Sequence, residues 1–248
     1  MREWNSEFPF LNKFGNSGLF FRTDLMLIGI RFDRLWGESY RPILEGIPLW
    51  NTSTDWKKRN SFYNIVKDNP KFKIECKYIF HDRYFHRNVE WIRQLYGYML
   101  SGQKVTYAEL YDYKEEYHNF YRGLDCIFQM PYLQYKLLLA TYFNDVKNIE
   151  KVWDEVENSC KKWSKNTKDL ESLQSEGISI EEWREKMYNY YGNREAFMKV
   201  CSSRSEDKAV KKLNYATLIN EPPIIKTPLQ EWLTFNWLKN FFDKYFGY

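Results

Sequence analysis

The sequence predicts an α+β fold: a small mixed β-sheet in the N-terminal half, flanked by helices, and a predominantly α-helical C-terminal half. Three patterns carry this expectation. Phe72, Ile74, Cys76, Tyr78 and Phe80 are apolar at every second residue, with Lys71, Lys73, Glu75 and Lys77 between them. Such alternation marks a half-buried strand. Leu25 to Trp36 (LMLIGIRFDRLW) is a near-continuous apolar run, too rich in β-branched and aromatic residues for a helix and suited to a buried strand ending near Asp33 and Arg34. From Pro131 onward the apolar spacing becomes helical. Residues 1–130 are expected to form an α/β core and 131–248 a helical region packed on it, as two units or as one continuous domain.

Taken in order, residues 1 to 20 show no clear period and are expected to form an irregular arm packed by Phe8, Phe10, Leu11 and Phe14. Arg41 to Trp50 is broken by Pro42, Gly46 and Pro48 and reads as a loop or a short helix. Asn51 to Asp55 is polar punctuation. Ser61 to Val66 and the Lys71 strand read as a β-hairpin, with Asp68, Asn69 and Pro70 supplying the turn. Asn88 is a good N-cap for a helix carrying Val89, Ile92, Leu95, Tyr96 and Met99 as far as Gly102. Gln103 to Tyr121 is either a helix capped by Thr106 and Glu109 or a pair of strands.

Pro131 at a first turn opens YLQYKLLLATYF. An amphipathic stripe follows: Val146, Ile149, Val152, Trp153, Val156, Cys160 and Trp163. Ser179 and Glu182 form a capping box for a helix to Tyr191, stopped by Gly192. A further helix is expected over Ser205 to Leu218. Glu221 to Pro228 is a stiff extended link. Leu229 to Phe246 is an aromatic helix, apolar on more than one face, for the core or for a protein partner.

The chain has 248 residues, 19% of them aromatic and 28% charged. It carries no apolar leader at MREWNSEFPF and no run long enough to cross a bilayer, so a cytoplasmic protein with no membrane partner is expected. Cys76, Cys126, Cys160 and Cys201 form no C-x-x-C and read as reduced core thiols. The net charge of +4 is unevenly placed, because residues 51–93 hold ten Lys/Arg against five acids. Such a segment, with Trp56, Phe62, Tyr63 and Tyr84 interleaved, can track a phosphate backbone or can be a solvated basic face.

One stretch permits an argument about chemistry. Strand alternation puts Glu75 and Lys77 on one sheet face, about 7 Å apart. With a second carboxylate, Glu75 could hold Mg²⁺ (or Mn²⁺) while Lys77 orients water or offsets developing charge. Gln94 and Tyr98 are one helical turn apart and share a face of the following helix. His81, Asp82, Arg83, His86 and Arg87 lie between. They could ligate Zn²⁺, contact phosphate, or form a polar strand-to-helix turn.

The ordered series Glu75-x-Lys77 and Gln94-x-x-x-Tyr98 resembles the PD-(D/E)XK nuclease superfamily, in particular its RecB-like branch, over roughly residues 25 to 100. The family's upstream Asp corresponds to Asp33, in a loosened form of its G-x-x-D-R-I motif. Here one extra residue separates Gly29 from Asp33, and the gap to Glu75 requires an insertion, so Asp55 or Asp68 are alternatives. The resemblance implies Mg²⁺-dependent hydrolysis of DNA phosphodiesters. Asp33 and Glu75 would hold the metal, and Lys77, Gln94 and Tyr98 would complete the site. The basic segment adds Lys73, Arg83, His86 and Arg87 as nucleic-acid contacts. The rival expectation is a non-catalytic interaction protein (a toxin immunity protein, an inhibitor or an assembly subunit) with a helical, aromatic-rich binding surface. A third keeps the fold and binds nucleic acid without cutting it. Serine-hydrolase, P-loop and dinucleotide-binding motifs are absent from the sequence.

Overall fold

The computed structural model describes residues 1–16, 18–36, 38–50, 62–65, 74–100, 102–112 and 126–223, with backbone only for 62–65 and Tyr98. The expectations that rest on Asp55, Asp68, Lys73, the Asp68 to Pro70 turn and the Leu229 to Phe246 helix lie outside these residues.

The α+β class is observed. A short helix α1 (Arg2–Glu7) precedes six strands: β1 (Asn12–Phe14), β2 (Gly18–Arg22), β3 (Met26–Leu35), β4 (Ser39–Pro48), β5 (Phe62–Ile65) and β6 (Cys76–Lys77). They form one sheet in the order β1-β2-β3-β4-β5, with β6 also on β4, and every pairing in it is antiparallel. Parallel pairing occurs in a separate two-stranded ribbon, described below, and in one isolated bridge between Arg22 and Tyr215. Thr23 closes the β2–β3 turn: its hydroxyl oxygen accepts from Leu25 N (3.2 Å) and Met26 N (3.0 Å).

Arg41 to Pro48 is not a loop or a helix but most of β4, a ten-residue strand paired with β3 along its whole length, and only Leu49 and Trp50 of the expected loop lie in a turn. Proline removes a ladder donor and is tolerated where no partner strand needs one. On the far side of β4, Ser39 and Tyr40 pair with β6, and Ile43 to Gly46 pair with β5. Pro42 falls between these two stretches and Pro48 falls beyond them. Among the described residues, the expected hairpin between Ser61–Val66 and the Lys71 strand is also corrected. β5 and β6 lie end to end on the same edge of β4, each paired with β4.

Of the ten-residue strand expected over 71–80, the described part, 74–80, is strand only at Cys76–Lys77, followed by a 3₁₀ turn at Tyr78–Phe80. Helix α2 (His81–Leu100) then starts seven residues before the predicted cap. Phe85, Val89, Ile92, Tyr96 and Met99 form its buried stripe, so the helical period reaches one turn further back than Val89. Asn88 is not a cap. It is fully buried, and its Nδ2 donates to Ile74 O (3.0 Å), tying the helix to the chain entering β6.

β7 (Lys104–Thr106) runs parallel to β8 (Thr217–Ile219). Helix α3, described over 107–112, opens on the expected capping box: Thr106 N donates to Glu109 Oε2 (2.7 Å) and Glu109 N to Thr106 Oγ1 (3.1 Å). Helix α4 (Cys126–Phe143) contains Pro131 in its interior, not at its first turn. It is apolar all round, with Met130, Tyr132, Leu133, Tyr135 and Leu137 to Ala140 buried, as suits a helix enclosed by others. Around it pack α5 (Val146–Trp163), α6 (Thr167–Ser175), α7 (Ile180–Gly192) and α8 (Arg194–Ser205). Each of these four has a side-chain N-cap: Asp145, Asn166, Ser179 and Asn193.

The helix expected over Ser205–Leu218 is replaced by turns and β8. Asn214 holds this segment to the start of the chain, through Nδ2 to Phe10 O (2.8 Å) and N to Asn12 Oδ1 (2.6 Å). One core cluster draws on residues from Trp4 in α1 to Ala216 beside β8. Among the described residues, no helix is long and apolar enough to cross a membrane.

Candidate functional site

β3, β4 and β6 bring Asp33, Arg41 and Glu75 onto one sheet face. Asp33 is the register partner of Arg41 in the β3–β4 pair. On the other side of β4, Lys77 is opposite Ser39. Extending that register by two residues brings Glu75 opposite Arg41, and directly opposed residues share a face.

The contacts agree. Arg41 Nη2 lies 3.8 Å from Glu75 Oε2, and Ser39 Oγ donates to Glu75 Oε1 at 2.6 Å. Asp33 is held by Arg31, whose Nη1 is 2.5 Å from Oδ1. The Nε of Arg31 is 3.2 Å from Oε2 of the buried Glu45. The face is therefore a run of alternating charges, Glu45, Arg31, Asp33, Arg41 and Glu75, with its carboxylates already answered by guanidinium groups.

This arrangement bears directly on the expected metal. Strands lie about 4.8 Å apart, so Asp33 on β3 and Glu75 beside β6 are separated by two strand spacings with Arg41 between them. A divalent ion held by both carboxylates would need the space that Arg41 takes. As arranged, the residues do not fit Mg²⁺. Among the described residues, neither carboxylate belongs to a group of three or more potential ligands.

Lys77 is exposed. Gln94 is also exposed and lies on the side of α2 opposite the buried stripe of Phe85, Val89, Ile92, Tyr96 and Met99. It therefore points away from the elements α2 packs against. Tyr98 follows it by one turn, with its side chain outside what is described.

The His81 to Arg87 cluster occupies the first two turns of α2, not a strand-to-helix turn. His81 is engaged at both ring nitrogens: Nδ1 is 2.9 Å from the Tyr40 hydroxyl and Nε2 is 2.9 Å from Glu3 Oε2. Trp4 Nε1 donates to the same Tyr40 hydroxyl at 3.3 Å. Burial is the main cause that pushes the Tyr40 hydroxyl well above its ordinary pKa, so it stays protonated. Glu3, His81 and Asp82 are the one group of three potential metal ligands among the described residues, with ligand atoms within 4.8 Å of one another. His86 is exposed, with Nδ1 3.9 Å from Glu7 Oε1. Arg83 and Arg87 lie over the Tyr84 ring at 5.2 and 4.3 Å.

A second feature stands at the same end of the sheet. The β3–β4 turn carries Trp36, which is 100% exposed, and the 3₁₀ turn carries Tyr78, Ile79 and Phe80, exposed to 49%, 75% and 42%. The two turns are joined by Tyr78 N donating to Glu38 O (3.0 Å), and the Tyr40 ring supports Tyr78 from below at 5.5 Å. The result is a tip of four large apolar side chains. Arg34, Lys77, Arg83, Glu38 and Asp82, each within three residues of one of these side chains in the chain, are exposed beside it.

Arg41, Ser39, Glu3 and the tip itself have no counterpart among the sequence expectations. Arg41 and Ser39 are hidden by the prolines that disguise β4. Glu3 and His81 are 78 residues apart and share no motif. Trp36 had a legible signal, because Trp36-Gly37-Glu38 at the end of a strand run marks a turn that presents a tryptophan. Comparison of the chain with protein-family models, with curated proteins and with solved structures gives no match.

Proposed function

We propose that this chain is a non-catalytic interaction protein that docks on a protein partner through the tip formed by Trp36 and Tyr78 to Phe80. The exposed tip carries the reading. Folding leaves a tryptophan wholly in water beside three further large apolar side chains, although a monomer gains by covering such groups. Trp, Tyr and Arg are the residue types that dominate binding energy at protein interfaces. The charge run on β3, β4 and β6 supports the same reading, since its carboxylates are neutralised from within.

The second reading is a Mg²⁺- or Mn²⁺-dependent nuclease acting on DNA. The Glu75-x-Lys77 pair on one sheet face, with Asp33 two strands away, favours it. It requires Arg41 to withdraw so that a metal can reach both carboxylates. Arg83, His86 and Arg87 would then serve as phosphate contacts.

One experiment separates the two. Labelled single- and double-stranded DNA is incubated with the protein in Mg²⁺, Mn²⁺ or EDTA, and a photo-reactive phenylalanine placed at Ile79 is activated in parallel. The interaction reading expects intact DNA and a discrete protein adduct that disappears with Trp36→Ser. Metal-dependent cutting lost in Glu75→Ala would replace it with the nuclease reading.

A further inference from the structure

We infer that the tip is built for an apolar pocket rimmed mainly by acidic side chains on another protein, an inference that rests on the interaction reading above. Its shape is the first argument. Tyr78, Ile79 and Phe80 occupy one 3₁₀ turn, and three residues per turn splay successive side chains by roughly 120°. They form a knob, not a flat row on which successive bases could stack. The most exposed of the three, Ile79, has no ring at all.

Charge is the second argument. Arg34, Lys77 and Arg83 are exposed around the knob and make no ion pair among the described residues. By contrast Arg31, Arg41 and Arg93 each meet a carboxylate. Three cations with no acidic partner among the described residues, set beside an apolar knob, call for acids on whatever covers it. Two acids, Glu38 and Asp82, stand exposed in the same ring. They would be repelled by a uniform polyanion, whether a nucleic-acid backbone or an anionic bilayer. A protein rim can place a cation opposite each of them, because its charge is patterned residue by residue.

The test uses the full chain and a displayed library of random peptides as the probe. Selected peptides are retested against two variants: Arg34→Glu with Lys77→Glu and Arg83→Glu, and Trp36→Ser with Ile79→Ser. All five positions are exposed, and circular dichroism confirms that each variant folds. The inference expects peptides combining large apolar residues with Asp or Glu, losing about tenfold or more in affinity to either variant.

Peptides that depend on Trp36 and Ile79 but carry no acids, and that ignore the charge reversal, would overturn the inference and leave the interaction reading standing. Selection with no dependence on Trp36 or Ile79 would overturn both. Oligothymidine or phosphatidylserine-containing vesicles, run as separate probes, should not bind through the tip. Binding of either that falls in both variants and rises when Glu38 and Asp82 are changed to Lys would assign the tip to a polyanion instead. Self-association lost in Ile79→Ser would assign it to a second copy of this chain.

Discussion

The Tyr40 hydroxyl and His81 Nδ1 lie 2.9 Å apart, and this bond joins β4 to the first turn of α2. The proton positions follow from the neighbours. The Glu3 carboxylate can only accept, so Nε2 of His81 carries the hydrogen towards it, and in the neutral imidazole Nδ1 then accepts from Tyr40. Trp4 completes the chain by donating to Tyr40 from α1. Tyr40→Phe keeps the ring that supports Tyr78 and removes only the hydroxyl. It strands a buried indole N–H and an imidazole nitrogen, at an expected cost of about 1–3 kcal/mol. Urea denaturation should show a lower midpoint at unchanged slope. An unchanged midpoint would mean that water replaces the hydroxyl without loss.

Arg41 is expected to stand in for a cation, and its removal should create a site that the native chain lacks. The Arg41 and Glu75 side chains are each about one-third exposed, so the pair itself contributes only about 0.5–1 kcal/mol. In Arg41→Ala, Glu75 keeps Ser39 but faces Asp33 with no guanidinium between them. Millimolar Mn²⁺ or Mg²⁺ should then raise the melting temperature of the variant and leave that of the native protein unchanged. An equal rise in the native protein would mean that metal enters despite Arg41, and would favour the nuclease reading.

The four cysteines are free and buried, and burial makes the thiols of Cys76, Cys160 and Cys201 poor acids. It pushes Cys201 up to about 12 and Cys160 up to about 11. Reaction with a thiol reagent at pH 8 should be slow in the folded protein and should reach all four thiols once denaturant is added. The same shifts set a direction for stability. In the unfolded chain these thiols lose their protons near pH 8.5, whereas in the folded chain they hold them to higher pH. The unfolded state is therefore favoured as pH rises from about 8.5 towards 12. The denaturation midpoint should be flat below that window, as far as these groups are concerned, and fall within it. A midpoint that rises above pH 9 would contradict the burial of these groups.

Local signals in the sequence were legible wherever a residue acts on its neighbours. The apolar run at Met26 to Leu35 is a strand, the capping box of Thr106 with Glu109 closes in both directions, and Ser179 caps its helix by accepting from Glu182 N. The failures have a common cause in partners distant along the chain. Pro42 and Pro48 break a strand only when a neighbour needs their N–H, and which stretches of β4 have a second neighbour is decided by β5 and β6. Asn88 looks like a cap until Ile74 O supplies a buried acceptor. The alternation of Phe72 to Phe80 continues on paper through Tyr78, but β4 offers β6 only Ser39 and Tyr40 before the Glu38 turn ends it. The site shows the same limit. Spacing brings Glu75 and Lys77 to one face, whereas Arg41 between Glu75 and Asp33 is a product of register.

Two glycines make the same point as a pair of mutations with opposite expected signs. Gly29 sits within β3, opposite Phe20 of β2 and Glu45 of β4. A Cβ there would run into the Leu19 carbonyl oxygen and stand 2.7 Å from Phe20 Cα. These are backbone atoms of a paired strand and cannot rotate aside, so Gly29→Ala must push β2 away from β3. The expected loss is about 1–3 kcal/mol or more, with weaker protection of the Leu19 and Phe21 amides against hydrogen exchange. Gly97 is inside α2, where among the described residues the nearest atom to an added Cβ is Arg93 Cβ at 3.8 Å, an ordinary contact. There the methyl meets no obstacle and removes backbone freedom from the unfolded chain, so Gly97→Ala should stabilise by about 0.5–1 kcal/mol. Paired denaturation curves for the two variants decide the matter, because a tolerated Gly29→Ala would mean that β2 does not approach β3 as closely as their register requires.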